Sequence, residues 1–354
     1  MSGDDVPPVG PDDPILVTGG TGFIGTQVVR ILLERGFRNL RCLARPTSNL
    51  ARFQAALDRV GAEGKVEVRT GNLLSRDDCV AAVRDAVLVY HLAASTGEKS
   101  FPDAFLNSVV TTRNLLDASL EHARLRRFVN VSTFAVYSNA GQSSRRVLDE
   151  SSPIEAHPAL RGDAYTYAKA KQDEIVTQYG EQHGLHYVIV RPGSVYGPGK
   201  TAITHRVGIG TFGLFLHLGG SNQIPLTFVD NCAEAIVLAG LASGVDGQVF
   251  NVVDDDLPSS RQFLGWYHQQ VRWFPSVTLP PALSYWLCHL WEAYSIRSEG
   301  QLPPVYNRRA WHANWKQAQF SNEKAKRSLG WTPRVPTKQG LSLYFQSCRE
   351  ARRA

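Results

Sequence analysis

The stretch Tyr165-Thr-Tyr-Ala-Lys169 sets a phenol and an ammonium four residues apart, so both fall on one face of a helix. A phenol with an ordinary pKa of about 10 exchanges protons poorly at neutral pH. A nearby ammonium stabilises the phenolate and lowers that value. Tyr165 could then pass a proton to or from an alcohol oxygen. Tyr167 is one position off this spacing and faces elsewhere. A chance pair of this kind is common, so its surroundings decide. The run Phe128–Ser132 reads as a strand, and it ends in two hydroxyls, Ser132 and Thr133. Either could polarise a substrate oxygen beside Tyr165, because ligands gather at the C-terminal edge of parallel strands.

A second chemical signal lies near the start. Ile15–Thr18 reads as a buried strand that runs into Gly19, Gly20, Gly22 and Gly25, and a helical pattern follows. Gly20-x-Gly22-x-x-Gly25 fits the dinucleotide fingerprint, and Gly19 extends it. One glycine allows the tight turn, one lets the backbone approach a pyrophosphate, and one lets helix and strand pack closely. The helix N-terminus then offers free N–H groups and the positive end of its dipole to phosphate. The glycines follow a strand and open a helix, as a nucleotide site requires.

The end of the second strand selects the cofactor. An acid there holds the ribose 2′-OH of NAD, and an arginine suits the 2′-phosphate of NADP. The sequence is Arg-Cys-Leu-Ala-Arg45-Pro-Thr47-Ser48, without an acid. Arg45 is the better phosphate fork, with Thr47 and Ser48 as further donors. NADP is expected, with NAD as the alternative.

These groups need a scaffold. Strand-like runs at Ile15–Thr18, Leu40–Ala44, Val66–Val68, Leu88–Ala93, Phe128–Ser132 and Tyr187–Arg191 alternate with helical runs at Phe23–Arg35, Phe101–His122 and Ala164–His183. Such alternation predicts an α/β fold, a doubly wound parallel sheet covered on both faces. After Gly193 the pattern loosens. Thr227–Gly240 reads as a helix and Gly247–Val253 as one more strand. Leu283, Trp286, Leu287, Leu290, Trp291 and Tyr294 recur at helical spacing and are read as packing.

The chain has 354 residues, enough for a sizeable core. Its five dispersed cysteines form no CxxC pair and read as reduced thiols in an intracellular, cytoplasmic protein. The ten histidines show no zinc spacing, so no metal is expected. The net charge of +6 comes from short basic runs, including Ser144–Arg146, which read as solvated surface and not as a nucleic-acid site. The first 13 residues have no signal-peptide pattern and are expected to form a disordered arm. Val207–Val229 and Trp273–Trp291 are nearly free of charge and reach the roughly 20 residues of a membrane span. Both carry proline and polar breaks. They read as apolar walls of a substrate site, with peripheral membrane contact as the alternative.

The motifs VTGGTGFIG, HLAA (91–94), Asn107 within FLNSVVTTRNLLDA, VSTFAVY, Tyr165/Lys169, RPGSVYGPG and FVDN occur in an order that resembles the extended short-chain dehydrogenase/reductases, including the NAD-dependent epimerase/dehydratases. The resemblance covers residues 14–345 or so. It implies a Rossmann-type NAD(P)-binding domain at 14–196, to which 228–255 return. A smaller substrate-binding region at 197–227 and 256–354 would complete the chain. It aligns Thr133 with the family's hydroxyl, and makes Asn107 the residue that holds a helix bend and a water near the lysine. Lys169 would also hold the nicotinamide ribose. The implied cofactor site comprises Gly19, Gly22, Phe23, Ile24, Gly25, Arg45, Ser48, Asn72, Leu73, Leu92, Ala93, Ala94, Lys169, Pro192 and Val195. Asn72 stands where the family often has Asp near the adenine, and an amide can still hydrogen-bond there. Family members often form a homodimer through the helices that here are 101–122 and 164–183.

Within the family the chain most resembles the 3β-hydroxysteroid dehydrogenase and flavonol reductase branch. Sugar-nucleotide enzymes commonly carry Gln-x-Arg-Asp-Phe before YVDD, where this chain has Gln223-Ile224-Pro225-Leu226-Thr227-Phe228. A diphosphate would lack that arginine, although Arg206 or Arg261 could replace it. The expected activity is hydride transfer between NAD(P) and an apolar small-molecule alcohol or ketone. The alternatives are a sugar-nucleotide epimerase or dehydratase and, less favoured, a non-catalytic nucleotide-binding regulator.

Overall fold

A computed structural model describes residues 9–59, 61, 66–94, 100–141, 146–299, 301–303 and 305–353. Residues 1–8 of the expected arm lie outside the described residues, as do 144 and 145 of the basic run. The rest of the arm departs from expectation. The Arg38 amide donates to the Pro11 carbonyl at 2.8 Å, and Arg126 pairs with Asp13 at 2.9 Å, which ties 11–13 to the body.

The elements run β1 (Ile15–Thr18), α1 (Phe23–Glu34), β2 (Leu40–Ala44), α2 (Ala51–Arg59), β3 (Val66–Thr70), α3 (Arg76–Val83), β4 (Leu88–His91) and α4 (Phe101–Ala104). Then come a π-helical turn (Phe105–Val110), α5 (Thr111–His122), β5 (Arg127–Val131), β6 (Val147–Leu148), α6 (Ala164–His183), β7 (Tyr187–Pro192) and β8 (Ser194–Tyr196). The second half holds β9 (Gly208–Thr211), β10 (Leu214–His217), β11 (Leu226–Phe228), α7 (Val229–Leu241), β12 (Gln248–Val252), α8 (Ser260–Gln270) and β13 (Ser276–Thr278). It closes with α9 (Pro281–Arg297), α10 (Arg308–Asn314), β14 (Gln319–Phe320), α11 (Glu323–Leu329) and α12 (Thr337–Glu350).

Seven strands form one sheet in the order β3-β2-β1-β4-β5-β7-β12, every pair parallel. The short apolar strands bury both of their faces, as a sheet covered by helices demands. Val17, Tyr90 and Val129 point to one core, against Val28, Val29 and Leu32 of α1 and Ile236 of α7. Their neighbours Leu16, Val89 and Phe128 point to the other, against Cys79 of α3, Leu115 of α5 and Ile175 of α6. The chain leaves β1 toward β2 and β3, then crosses to β4 and continues the other way. The direction of winding therefore switches between β1 and β4. There the two connecting loops part and leave a crevice at the C-terminal edge.

Two expectations change. The single helix expected over 101–122 is interrupted by the π-helical turn. The run 207–229 holds the β9–β10 hairpin, which with β13 makes a separate three-stranded sheet, and then β11, which pairs with β8. One face of that sheet, with Ile209 and Leu216, packs with Leu218 on Cys288, Trp311 and Trp315. The apolar stripe of α9 is not packing: Leu283, Trp286, Leu287, Leu290 and Tyr294 are exposed, Trp286 at 53% and Tyr294 at 62%. The helix instead buries Ser284, Cys288 and Ser295. No described helix is long and apolar enough to cross a membrane. All five cysteines are buried and free.

Candidate active site

Gly19 takes φ +69°, and a Cβ there would stand 2.8 Å from the Ala93 amide nitrogen. A Cβ on Gly25 would stand 2.1 Å from the Gly19 carbonyl oxygen. The turn can exist only with glycine at both places, because one needs a left-handed backbone and the other a bare helix surface. From the neighbouring strand, the Leu92 amide donates to the Thr18 carbonyl at 3.1 Å. Ala93 and Ala94 follow, so the two loops of the crevice meet here. α1 begins after Gly22 with no side-chain cap. The amides of Phe23, Ile24 and Gly25 have no intrahelical partners and present the positive end of the helix dipole. This cradle fits a pyrophosphate.

Arg45 follows β2 directly and is exposed. Among the described residues its guanidinium has no hydrogen bond or ion pair. Arg41 on the same strand differs, bound to Glu67 at 2.8 Å and to the Ala82 carbonyl at 2.7 Å. Ser48 closes the turn by donating its amide to the Arg45 carbonyl at 2.9 Å. Asn72 follows β3, and its side-chain oxygen accepts from the Leu74 amide at 3.1 Å. Its amide NH2 stays available for a nucleobase beside the buried Leu73. Two further cations were not legible as site residues. The Lys200 ammonium lies 5.8 Å from the Phe23 ring centroid, and the Arg52 guanidinium packs over Gly199. Pro192 ends β7, and Val195 lies within β8, which pairs with β11 outside the large sheet.

The reacting groups sit across the crevice. The Thr133 side chain accepts from the Ala135 amide at 3.2 Å and stands beside the Tyr165 phenol, whose pKa it lowers. Ser132 is committed elsewhere. Buried, it donates to Asp173 Oδ2 at 2.8 Å, an oxygen that Arg191 also holds at 3.0 Å. The structure thus brings Thr133 and Tyr165 together and turns Ser132 into the core. Arg161 fixes the turn after Thr133 by donating to the carbonyls of Ala135 and Tyr137. No local sequence signal marks that role.

Burial pushes the Tyr165 phenol up to about 12, opposed by the neighbouring Thr133 hydroxyl. The Lys169 Nζ donates to the Val131 carbonyl at 2.6 Å and to Gln172 Oε1 at 2.7 Å. Burial pushes its own pKa down to about 8, with Asp173 opposing. Gln172 continues the chain of bonds. Its amide donates to Thr112 Oγ1 at 2.6 Å and to His91 Nε2 at 2.9 Å. His91 Nδ1 then donates to Thr18 Oγ1 at 2.7 Å. Burial pushes His91 down to about 3, so the ring is neutral and this tautomer is consistent. Asn107 lies in the π-helical turn, whose wider winding is a common device at functional sites. The Asn107 carbonyl accepts from Thr111 Oγ1 at 3.0 Å.

A family model described as NAD dependent epimerase/dehydratase family matches residues 15–252. A 3beta-hydroxysteroid-dehydrogenase/decarboxylase (isoform 1) of Arabidopsis thaliana is 26% identical over 94% of this chain and 79% of its own. A 4-hydroxy-2-methyl-3-oxo-4-farnesyl-3,4-dihydroquinoline-1-oxide ketoreductase of Stigmatella aurantiaca is 27% identical over 94% of this chain and 95% of its own. Among solved structures, gox2253 superposes with a TM-score of 0.76 at 25% identity, covering 96% of this chain and 99% of that one. DesIV, a dTDP-glucose 4,6-dehydratase from Streptomyces venezuelae with NAD and TYD bound, gives 0.71 at 22% identity, covering 96% and 98%.

The buried lysine sets a pH dependence. Its pKa is about 8 in the folded chain against an ordinary 10.5. Between those values the unfolded chain binds more protons, so folding stability rises with pH there. Measured by urea unfolding, the native protein should gain on a Lys169→Met variant as pH rises from about 8 to 10.5, by roughly 3 kcal/mol in all. A difference independent of pH would show that Lys169 is not desolvated.

Proposed function

The chain belongs to the NAD dependent epimerase/dehydratase family, and on that premise we propose that it is an NADP-dependent oxidoreductase acting on the carbonyl or hydroxyl of an apolar small molecule. The observation that carries the reading is Thr133 beside Tyr165 just beyond β5, on the same edge of the parallel sheet as the glycine turn just beyond β1. The nicotinamide cofactor, held by the glycine turn and the start of α1, supplies or takes up the hydride. Thr133 holds the substrate oxygen. Tyr165 gives that oxygen its proton, and with its phenol pushed up to about 12 it is protonated at neutral pH and poised as a donor. Lys169 keeps one N–H beyond its two bonds, and that donor faces the cofactor's ribose in this reading.

The cofactor preference rests on Arg45, a planar donor without a carboxylate partner among the described residues, at the strand end where the adenosine ribose lies. The apolar substrate rests on what stands in place of a diphosphate-binding arginine. Ile224 is buried in the core, and the Pro225 carbonyl accepts from the Ser194 amide at 2.6 Å. The names of the two curated relatives, a steroid dehydrogenase/decarboxylase and a ketoreductase, point the same way.

One observation favours a sugar-nucleotide substrate instead. The Arg206 guanidinium donates to the Ala313 carbonyl at 3.1 Å and pairs with no carboxylate among the described residues. Such a cation would suit a diphosphate. A tightly retained NAD would accompany that chemistry, whereas an exchangeable NADP accompanies net reduction.

Tyr165→Phe removes the donor hydroxyl. It should lower ketone-dependent NADPH oxidation by about 10²–10⁴-fold, with NADPH affinity little changed. Turnover equal to that of the native protein would take proton transfer away from Tyr165. Arg45→Asp should shift the ratio of kcat/KM for NADPH over NADH toward NADH by about tenfold or more, the worth of a charge-assisted bond. An unchanged ratio would remove Arg45 from the cofactor site.

A further inference from the structure

α9 carries its apolar stripe on the wrong side for packing. At 100° per residue, Leu283, Trp286, Leu287, Leu290 and Tyr294 fall within one narrow sector of the helix. All five are exposed. Ser284, Cys288 and Ser295 form the buried sector about a third of a turn away. That side is fastened to the body, where Trp311 Nε1 donates to Ser284 Oγ at 2.9 Å and Ser295 Oγ donates to the Leu302 carbonyl at 2.6 Å. The helix therefore cannot roll to hide its stripe. Burying exposed apolar surface is worth roughly 25 cal/mol per Å². Several large side chains kept in water on one helix face mark a contact surface.

A second feature belongs to the same small sheet. The β9–β10 hairpin turns over Phe212 and Gly213, with φ of +46° and +78°. Phe212 is 105% exposed, so a bulky side chain is held in a left-handed backbone with nothing packed on it. β10 and β13 are parallel and pair Phe215 with Ser276. The register brings Trp273, 73% exposed, to the same end of the sheet as Phe212.

The charge pattern names the occupant. Residues 207–229 and 257–291 contain no aspartate or glutamate, while the second run carries Arg261 and Arg272, both exposed. Arg272 and Arg297 stand exposed on either side of the uncharged run, and the first acid after it, Glu292, is engaged by Arg308 at 2.8 Å. A second copy of the chain would bring these cations face to face. An anionic bilayer complements them, and indole and phenol rings settle at the level of its headgroups. We propose that α9 and the β9–β10 hairpin tip form a docking surface for an anionic phospholipid membrane. The helix would lie in the interface without crossing it. This inference stands on the surface alone and does not depend on which substrate the active site takes.

The test uses the full-length protein and vesicle sedimentation, with phosphatidylcholine alone and with about 30% phosphatidylserine added. The protein should sediment with the anionic vesicles and be released by salt. Trp286→Glu with Leu290→Glu should cut the partition coefficient by about tenfold or more, and Phe212→Ser should weaken it without touching the helix. Both variants should keep the native melting temperature and oligomeric state, because the replaced side chains already face water. Failure to sediment with either vesicle would overturn the proposal, as would equal binding to phosphatidylcholine alone. Native binding by the variants would overturn it too. Variants that change the oligomeric state, with the native protein indifferent to vesicles, would assign the surface to a second copy.

Discussion

A buried chain of hydrogen bonds runs from Lys169 through Gln172 and His91 to Thr18, the last residue before the glycine turn. Its members lie in the interior, where an unpaired donor costs about 1–3 kcal/mol and an unpaired charge more. Every link therefore holds its neighbours. Lys169 donates, so Gln172 must turn its oxygen toward it and its NH2 toward His91. His91 is neutral, so it accepts at one nitrogen and donates at the other. α6, which carries Tyr165, and β1, which leads into the glycine turn, are separated by β4 in this cross-section. The polar chain fixes their distance and leaves one N–H of the lysine without a partner among the described residues.

The sheet converts that constraint into a site. Because β1 and β4 are adjacent while their connections leave in opposite directions, the crevice opens where Thr18, Gly19, Leu92 and Ala93 already meet. β5 and β7 continue the same edge, β5 leading to Thr133 and β7 ending at Pro192. A second polar cluster, Asn130, Ser132 and Arg191 around Asp173, holds β5 and β7 to α6. With the two clusters on α6 three and four residues beyond Lys169, the helix can neither slide nor turn, and Tyr165 is presented to Thr133 at a fixed height.

The sequence made the sheet legible because its strands are short apolar runs bounded by turn residues, and the glycine turn legible because three backbone constraints coincide in seven residues. Adjacent residues of an extended chain face opposite ways, which is why Ser132 and Thr133 part, but which of them faces inward depends on Asp173, 41 residues from Ser132. The Gln172–His91 contact spans 81 residues and leaves no local trace. The π-helical turn hides in FLNSVVTTRNLLDA because its apolar spacing is that of an ordinary helix. The stripe of α9 was recognised but placed on the wrong side, since periodicity identifies an apolar face and says nothing about what covers it. α2 and α3 escaped notice because their charged residues interrupt the apolar pattern.

The proposed function requires that the glycine turn and Arg45, whose guanidinium has no partner among the described residues, hold a phosphorylated nicotinamide dinucleotide exchangeably. The direct measurement is to denature the purified native protein, identify any nucleotide released, and titrate NADPH and NADH into nucleotide-free protein by calorimetry. Little retained nucleotide, and NADPH bound at least about tenfold tighter than NADH, is the predicted result. Stoichiometric NAD retained through purification, or equal affinity for the two, would contradict it and shift the chemistry to an internal redox cycle on a sugar nucleotide.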